Sequence, residues 1–436
     1  ELEKIFPNIK KEIILENQKI ELEYKKDKIN IIGYGDISLQ EELDLIKYKI
    51  EKNKKDYVFD INLKISKNPL LVNILNYEKN KKSDLNLSLK VKSSKNDIFV
   101  KEFLLQENEN ILSFRDLKFS QNFELNNIGN IQIDYLDKEN FYNKINVIKE
   151  DRDYKVVGNS FNINNFITEL LDSNNDKKLN FLSQKYKFTF DIKKIYLDRD
   201  NITYNLKGFL TFKKNEISKL SLESEFSNKE KINFTINTND NGEKITTLFS
   251  NKAKPLVDRY KFIKGFKEGS LDFNSVKKKN ISKSTLKIYD FKLKELPALT
   301  KILTLASLQG IADLLSGEGI RFNEFEMNFT NKDKLMTIDE IYAIGPAISI
   351  LMEGYIEKEN LVSLRGTLVP ATTINKTISS IPLLGDILVG KKVGEGVFGV
   401  SFKIKGPPKN LETSVNPIKT LTPRFITRTL EKIKKN

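Results

Sequence analysis

Residues 57–65 read YVFDINLKI, and every second side chain, from Tyr57 through Phe59, Ile61 and Leu63 to Ile65, is apolar. A period of two marks a strand with one face turned to apolar surroundings and the other to water. The same alternation returns at Leu85, Leu87, Leu89 and Val91, at Ile131, Ile133 and Tyr135, and at Tyr186, Phe188, Phe190 and Ile192. It returns again at Ile202, Tyr204, Leu206, Leu210 and Phe212. Positions in between carry Asp, Asn, Lys, Ser and Thr, and polar clusters such as residues 239–242 supply hairpin turns. The pattern predicts a mainly β chain built on an elongated, twisted antiparallel sheet. Its apolar face would line an open, taco-like groove. A closed β-sandwich shows the same alternation and stands as the alternative.

Helical punctuation is sparse. GNSFNINNFITELL, around Phe161 to Leu171, and YDFKLKELPALTKIL, around Phe291 to Leu303, each read as a strand running into a short helix. A weaker third copy is LKISKNPLLVNIL, residues 63–75. The segment 296–315 is apolar on nearly every turn, so a helix there seeks apolar neighbours on more than one side. Its candidate membrane- or partner-contact residues are Leu299, Ile302, Leu303, Ile311 and Leu314. A second helix is expected at 423–435, with Thr422 as N-cap and Pro423 at its first position. Phe425, Ile426, Leu430 and Ile433 supply its apolar residues, and Arg424, Arg428, Lys432 and Lys435 its basic ones, which suits a membrane surface or a hydrophobic partner. The provisional division is 1–150 and 151–280 as two β-sheet segments and 281–436 as a C-terminal region, with the lysine-rich stretch 277–283 as the best boundary.

With 436 residues, 39% of them hydrophobic and 10% aromatic, the chain has ample surface to bury. The formal charge of +14 is compatible with nucleic acid, with anionic lipid or with no specific partner, and abundant Lys, Asn and Ile with no Trp is what an A- and T-rich coding bias produces. Zero His and zero Cys remove the commonest general base, the commonest nitrogen ligand and all thiol chemistry. The sequence begins at Glu1 and holds no run of ~20 apolar residues, so either the chain is soluble or a signal or anchor precedes it.

Three motifs tempt and fail on context. Gly394, Gly396 and Gly399 have the spacing of a nucleotide loop, but VFGVSFKIK continues as a strand where a phosphate site needs a helix. Adjacent acids such as Asp339 and Glu340, or Asp290 with Glu295, lack a second signal and read as solvated charge. YKFTFDIKK interleaves aromatics and lysines as single-strand binders do, but period-two aromatics are more simply one buried face. The expectation is a non-enzyme with no catalytic residue, no cofactor, no metal site and no nucleic-acid partner.

Three ordered phrases resemble a known family: LPALTKILTLASLQGIADLLSGEGIRF, AIGPAISILMEGYIEKENLVSLRGTLVPA and IPLLGDILVGKKVGEGVFGVSFKIKGPPKNLETSVNPIKTLTPRFI. Together they look like the C-terminal region of the AsmA-like / YhdP family of envelope proteins, over residues ~285 to 434. The resemblance implies a periplasmic protein of the cell envelope, held in the inner membrane by an N-terminal helix absent from this sequence. It also implies a β-sheet groove that carries phospholipids between inner and outer membranes. Acyl chains need only a continuous apolar face, which alternating strands supply. Candidate groove residues are Phe59, Ile61, Leu63, Leu87, Leu89, Phe188, Phe190, Tyr204 and Leu206. Expected partners are phospholipids, a membrane surface and an envelope protein at the C-terminus. The rival is a structural scaffold with a closed core and protein-docking C-terminal segments.

Overall fold

The computed structural model describes residues 9, 12–166, 185–213, 216–259, 265–294, 297–305, 317–358, 360–370, 399–408 and 410–418. The chain is mainly β, with few helices, and its contacts divide it into two compact units, Glu1–Lys229 and Glu230–Asn436. In each unit the strands form an open, mostly antiparallel sheet. The alternating runs all form strands, among them Asp56–Ile65, Leu85–Ser93, Asn130–Leu136, Tyr186–Tyr196 and Ile202–Lys213. The tail 423–435, with Arg424, Phe425, Ile426, Arg428, Leu430, Lys432, Ile433 and Lys435, lies outside the described residues, as do Ile311, Leu314, Gly394 and Gly396.

The first unit begins with the hairpins Ile14–Lys25, Lys28–Ser38, Leu43–Asn53 and Asp56–Ile65, each strand paired antiparallel with the next. The strands Leu85–Ser93, Asp97–Glu107 and Asn110–Ser120 continue the sheet, followed by Asn130–Leu136, Tyr142–Glu150 and Asp153–Asn162. The next pair, Asp153–Asn162 with Tyr186–Tyr196, is parallel, which a pure meander does not provide. A parallel neighbour requires a crossover, and the connection starts helically at 164–166, within the first strand-to-helix segment. Ile202–Lys213 and Glu216–Glu225 return to antiparallel pairing.

Residues 66–84 leave the sheet and cover one end of its apolar face. Here the third strand-to-helix segment forms a two-residue strand, Leu71–Val72, and a 3₁₀ turn, Asn73–Leu75, ended by Asn76 in the left-handed conformation. Polar side chains hold this cover down. The Asp44 carboxylate accepts from the backbone N–H groups of Ser66 (2.8 Å) and Lys67 (3.2 Å), and Asn68 Nδ2 donates to Asp44 Oδ2 at 2.7 Å. Tyr77 hydroxyl donates to Glu107 at 2.6 Å, and the Asn80 N–H donates to its other oxygen at 2.8 Å. The cover's own Leu70 and Val72 and the sheet's Leu85 are buried, so each ordered polar contact is shielded from water and gains weight.

In the second unit ten strands follow one another antiparallel from Lys231–Thr238 to Glu412–Ile418. The lysine-rich stretch 277–283 is the turn of a hairpin whose strands, Lys267–Lys278 and Ile281–Leu293, pair along their whole length. Two helices, Lys254–Val257 and Pro297–Leu305, cover this sheet at the end where those strands meet them. Leu256, Val257, Leu299, Ile302 and Leu303 join a buried cluster with Phe291, Phe322, Ile348, Leu368 and Phe402. Phe266, Phe291 and Phe322 stack at 5.3 Å between successive ring centroids.

Candidate functional site

Residues directly opposite in a sheet ladder point to the same face, so the registers trace which side chains lie in line across the strands. In the first unit one line is unbroken over thirteen strands. It runs Ile20, Gly33, Tyr48, Ile61, Leu89, Phe103 and Phe114, then Ile131, Val147, Val156, Phe190, Gly208 and Leu222. A second line beside it runs from Ile46 through Leu63, Leu87, Leu105, Leu112, Ile133, Ile145, Gly158 and Ile192 to Leu206. Phe59 opens a third, opposite Ile50 and Val91, and Phe188 lies opposite Tyr154 and Leu210.

Eight of the nine candidate groove residues therefore share these apolar lines on one face. Tyr204 is the exception in its neighbours: it sits opposite Lys194, where the line ends. Along the lines, two rings lie over glycines. A Cβ on Gly33 would meet the Tyr48 ring at 2.2 Å, and in the second unit a Cβ on Gly366 would meet the Phe402 ring at 2.6 Å. Each glycine thus makes room for a cross-strand aromatic that keeps the apolar surface continuous.

Burial falls off along the strands. Close to the cover, Ile65, Leu85, Leu105 and Leu112 are buried, whereas Phe59, Ile61, Leu89, Phe188 and Phe190 are half-buried. At the first edge strand, Leu22 is 67% and Tyr24 72% exposed. The opposite face carries ion pairs between strands, as where Glu102 lies between Lys90 (2.9 Å) and Arg115 (3.4 Å), alongside exposed apolar side chains such as Ile32, Leu45, Val58 and Ile148.

The second unit repeats the device. Phe234, Leu248, Phe273, Leu286, Met327, Ile341, Met352, Gly366, Phe402 and Val415 form one registered line across its ten strands. Here Leu299, Ile302 and Leu303 sit at helical spacing on the buried side of Pro297–Leu305, while Leu305 is half exposed. These three fill the cluster beneath their helix. On the other face a shallow depression of about 340 Å³ is lined mainly by polar residues, among them Asp272, Asn274, Thr285 and Lys287.

Electrostatically, the most distinctive group is Glu107. Burial raises its carboxyl, but hydrogen bonds from Ser83, Tyr77, the Asn80 N–H and Asn110 outweigh burial and hold it below the usual glutamate value. Burial likewise pushes the Tyr77 and Tyr135 hydroxyls far up, and the Tyr186 hydroxyl up to about 12. These groups fasten the fold; none faces an open cleft with a second reactive partner. Among the described residues there is no cluster of metal-ligating side chains, and no helix is long and apolar enough to cross a membrane.

The lines extend well beyond the candidate residues read from sequence. Tyr48, Phe103, Phe114, Val147 and Val156 belong to them, and the alternation of Ile46, Tyr48 and Ile50 was the signal that marks the first of these. No protein-family model, curated protein or solved structure matches this chain.

Proposed function

We propose that this chain binds lipid acyl chains along its apolar lines and serves as a non-enzymatic lipid carrier or conduit of the cell envelope. The observation that carries the reading is the registered line from Ile20 to Leu222, apolar or glycine at every strand and half-buried over much of its length. Thirteen strands side by side measure ~58 Å along the sheet, and the first two lines lie ~7 Å apart. Such a strip offers acyl chains a path with no polar interruption, and sliding along it requires neither a catalytic residue nor nucleotide energy.

A curled sheet is supported by the second unit. Pro297–Leu305 touches Glu412–Ile418, six strands away from Ile281–Leu293 in the ladder. Flat, those strands would lie ~29 Å apart, against a helix ~13 Å long. Phospholipid as cargo, transfer between two membranes, a periplasmic setting and membership of the AsmA-like / YhdP family belong to the same proposal, resting on the sequence resemblance.

A second reading is favoured by one feature: the helix residues Leu299, Ile302 and Leu303 are buried, as in a closed scaffold core. Lipid extraction from the purified chain, with a photo-crosslinking side chain at Phe59 or Phe188, separates the two. Crosslinked phospholipid at both positions is the expected result. A lipid-free chain without crosslinks would leave the scaffold.

A further inference from the structure

The strands of the first unit turn at two ends, and the two differ in chemistry. One end lies beneath the cover formed by residues 66–84. At the other, the turns at 25–28, 53–56, 93–97 and 150–153 expose Lys26, Lys28, Lys54, Lys55, Lys95 and Arg152, which have no acidic partner among the described residues. Four acids of the same turns are already neutralised by lysines on neighbouring strands: Asp56 by Lys92 (3.2 Å), Asp97 by Lys118 (2.9 Å), Glu150 by Lys155 (3.9 Å) and Asp153 by Lys187 (3.2 Å). Asp27, Glu124 and Asp151 are the acids set against them, and cations prevail.

Aromatic rings stand out at the same end. Phe123, in the turn at 120–124, is 66% exposed and held at φ +59°, a conformation bulky side chains rarely adopt. The turn fixes it there through Phe123 N–H donating to Ser120 O at 3.0 Å and Ser120 N–H donating to Glu124 O at 2.8 Å. Tyr24 is exposed beside the first turn, and Tyr57 stacks on Phe59 with Lys52 over its ring at 5.5 Å.

Lysines with phosphate-reaching heads and rings that prefer the boundary between water and hydrocarbon are together the chemistry of a membrane interface. We propose that this end of the first unit's sheet docks on a bilayer surface carrying anionic lipids. Phe123 enters the boundary layer and the turn lysines meet the phosphates. The charge complementarity selects an anionic surface, and the exposed ring selects a bilayer over a nucleic acid, whose backbone offers nothing for a lone apolar tip. The proposal rests on the lipid reading of the apolar lines, because it places donor lipids where those lines are least covered.

The test is co-flotation of the full chain with vesicles of phosphatidylcholine alone or mixed with phosphatidylglycerol, while lipid carried through purification is measured separately. Binding to the anionic vesicles only, weakened by salt, is the expected result. Lys54→Glu with Lys55→Glu should lower it about tenfold or more. Phe123→Gly should also weaken binding, yet leave the melting temperature unchanged or raised, since glycine accepts the positive φ. Equal binding to neutral vesicles would overturn the proposal. So would unaltered binding by both variants, or retention of a single-stranded oligonucleotide in place of vesicles. Carried lipid without vesicle binding sinks the docking proposal alone; vesicle binding without carried lipid sinks the cargo reading and leaves docking standing.

Discussion

The two units lay down the same apolar lines and finish them with opposite chemistry. Residues 66–84 close one end of the first sheet through buried polar contacts centred on Asp44 and Glu107. The second sheet is closed by helices whose Leu256, Val257, Leu299, Ile302 and Leu303 pack as ordinary core. An apolar cover holds by area and shape, so its strength is insensitive to pH and graded in volume. A polar cover holds by satisfied partners, so losing one partner strands the others and its strength depends on protonation.

The largest expected effect tests the apolar side. Leu303, fully buried, should on substitution by Ala destabilise the second unit by about 2–5 kcal/mol. Urea melting followed by hydrogen exchange in each unit reads this. Equal loss of protection in residues 14–225 would break the comparison by showing that the covers do not act separately.

Glu107→Gln comes next, at about 1–3 kcal/mol, because an amide keeps the shape but gives up acceptor capacity among four donors. The pH dependence sharpens it. With the folded-state value depressed below the ordinary 4.5, the stabilisation is complete above that value and is lost as pH falls through it towards the folded value. Exchange at amides of residues 66–84 should accelerate in that acidic window before that of Pro297–Leu305, and Glu107→Gln should flatten the difference. Identical acid profiles in both covers would show that the contrast has no energetic content.

The smallest effect lies on the solvent face. Glu102→Gln removes the carboxylate shared by Lys90 and Arg115 and should change stability by less than about 1 kcal/mol, measured by thermal melting. A larger loss would mean that the ion-pair ladder contributes to holding neighbouring strands in register.

Much of the strand pattern was legible because a half-covered sheet imposes alternation directly on sequence. Phe59, Ile61 and Leu63 share a face for the same reason that their neighbours Asp60 and Asn62 do not. The helix after Phe291 was legible too, with Leu299, Ile302 and Leu303 at helical spacing. The cover at 66–84 was not, since its stability comes from partners such as Asp44, Glu107 and Asn110, distant in sequence and ordinary in type. Nor was the parallel pairing of Asp153–Asn162 with Tyr186–Tyr196, because period two is the same in either strand direction. How deeply each apolar residue lies depends on what covers it, so alternation could not distinguish fully buried Leu85 from half-buried Leu89.

The lines also have a mechanical meaning. Backbone hydrogen bonds between strands point across the sheet, along the same direction as the apolar lines. A pull along the strands would shear many bonds at once, but a pull along the lines loads one strand-to-strand seam after another, like the teeth of a zip. Each sheet is therefore stiff in one direction and compliant in the other. The helix Pro297–Leu305, which follows Ile281–Leu293 in sequence and touches the strand Glu412–Ile418, is then a cross-stitch, sharing tension among seams that would otherwise part in sequence.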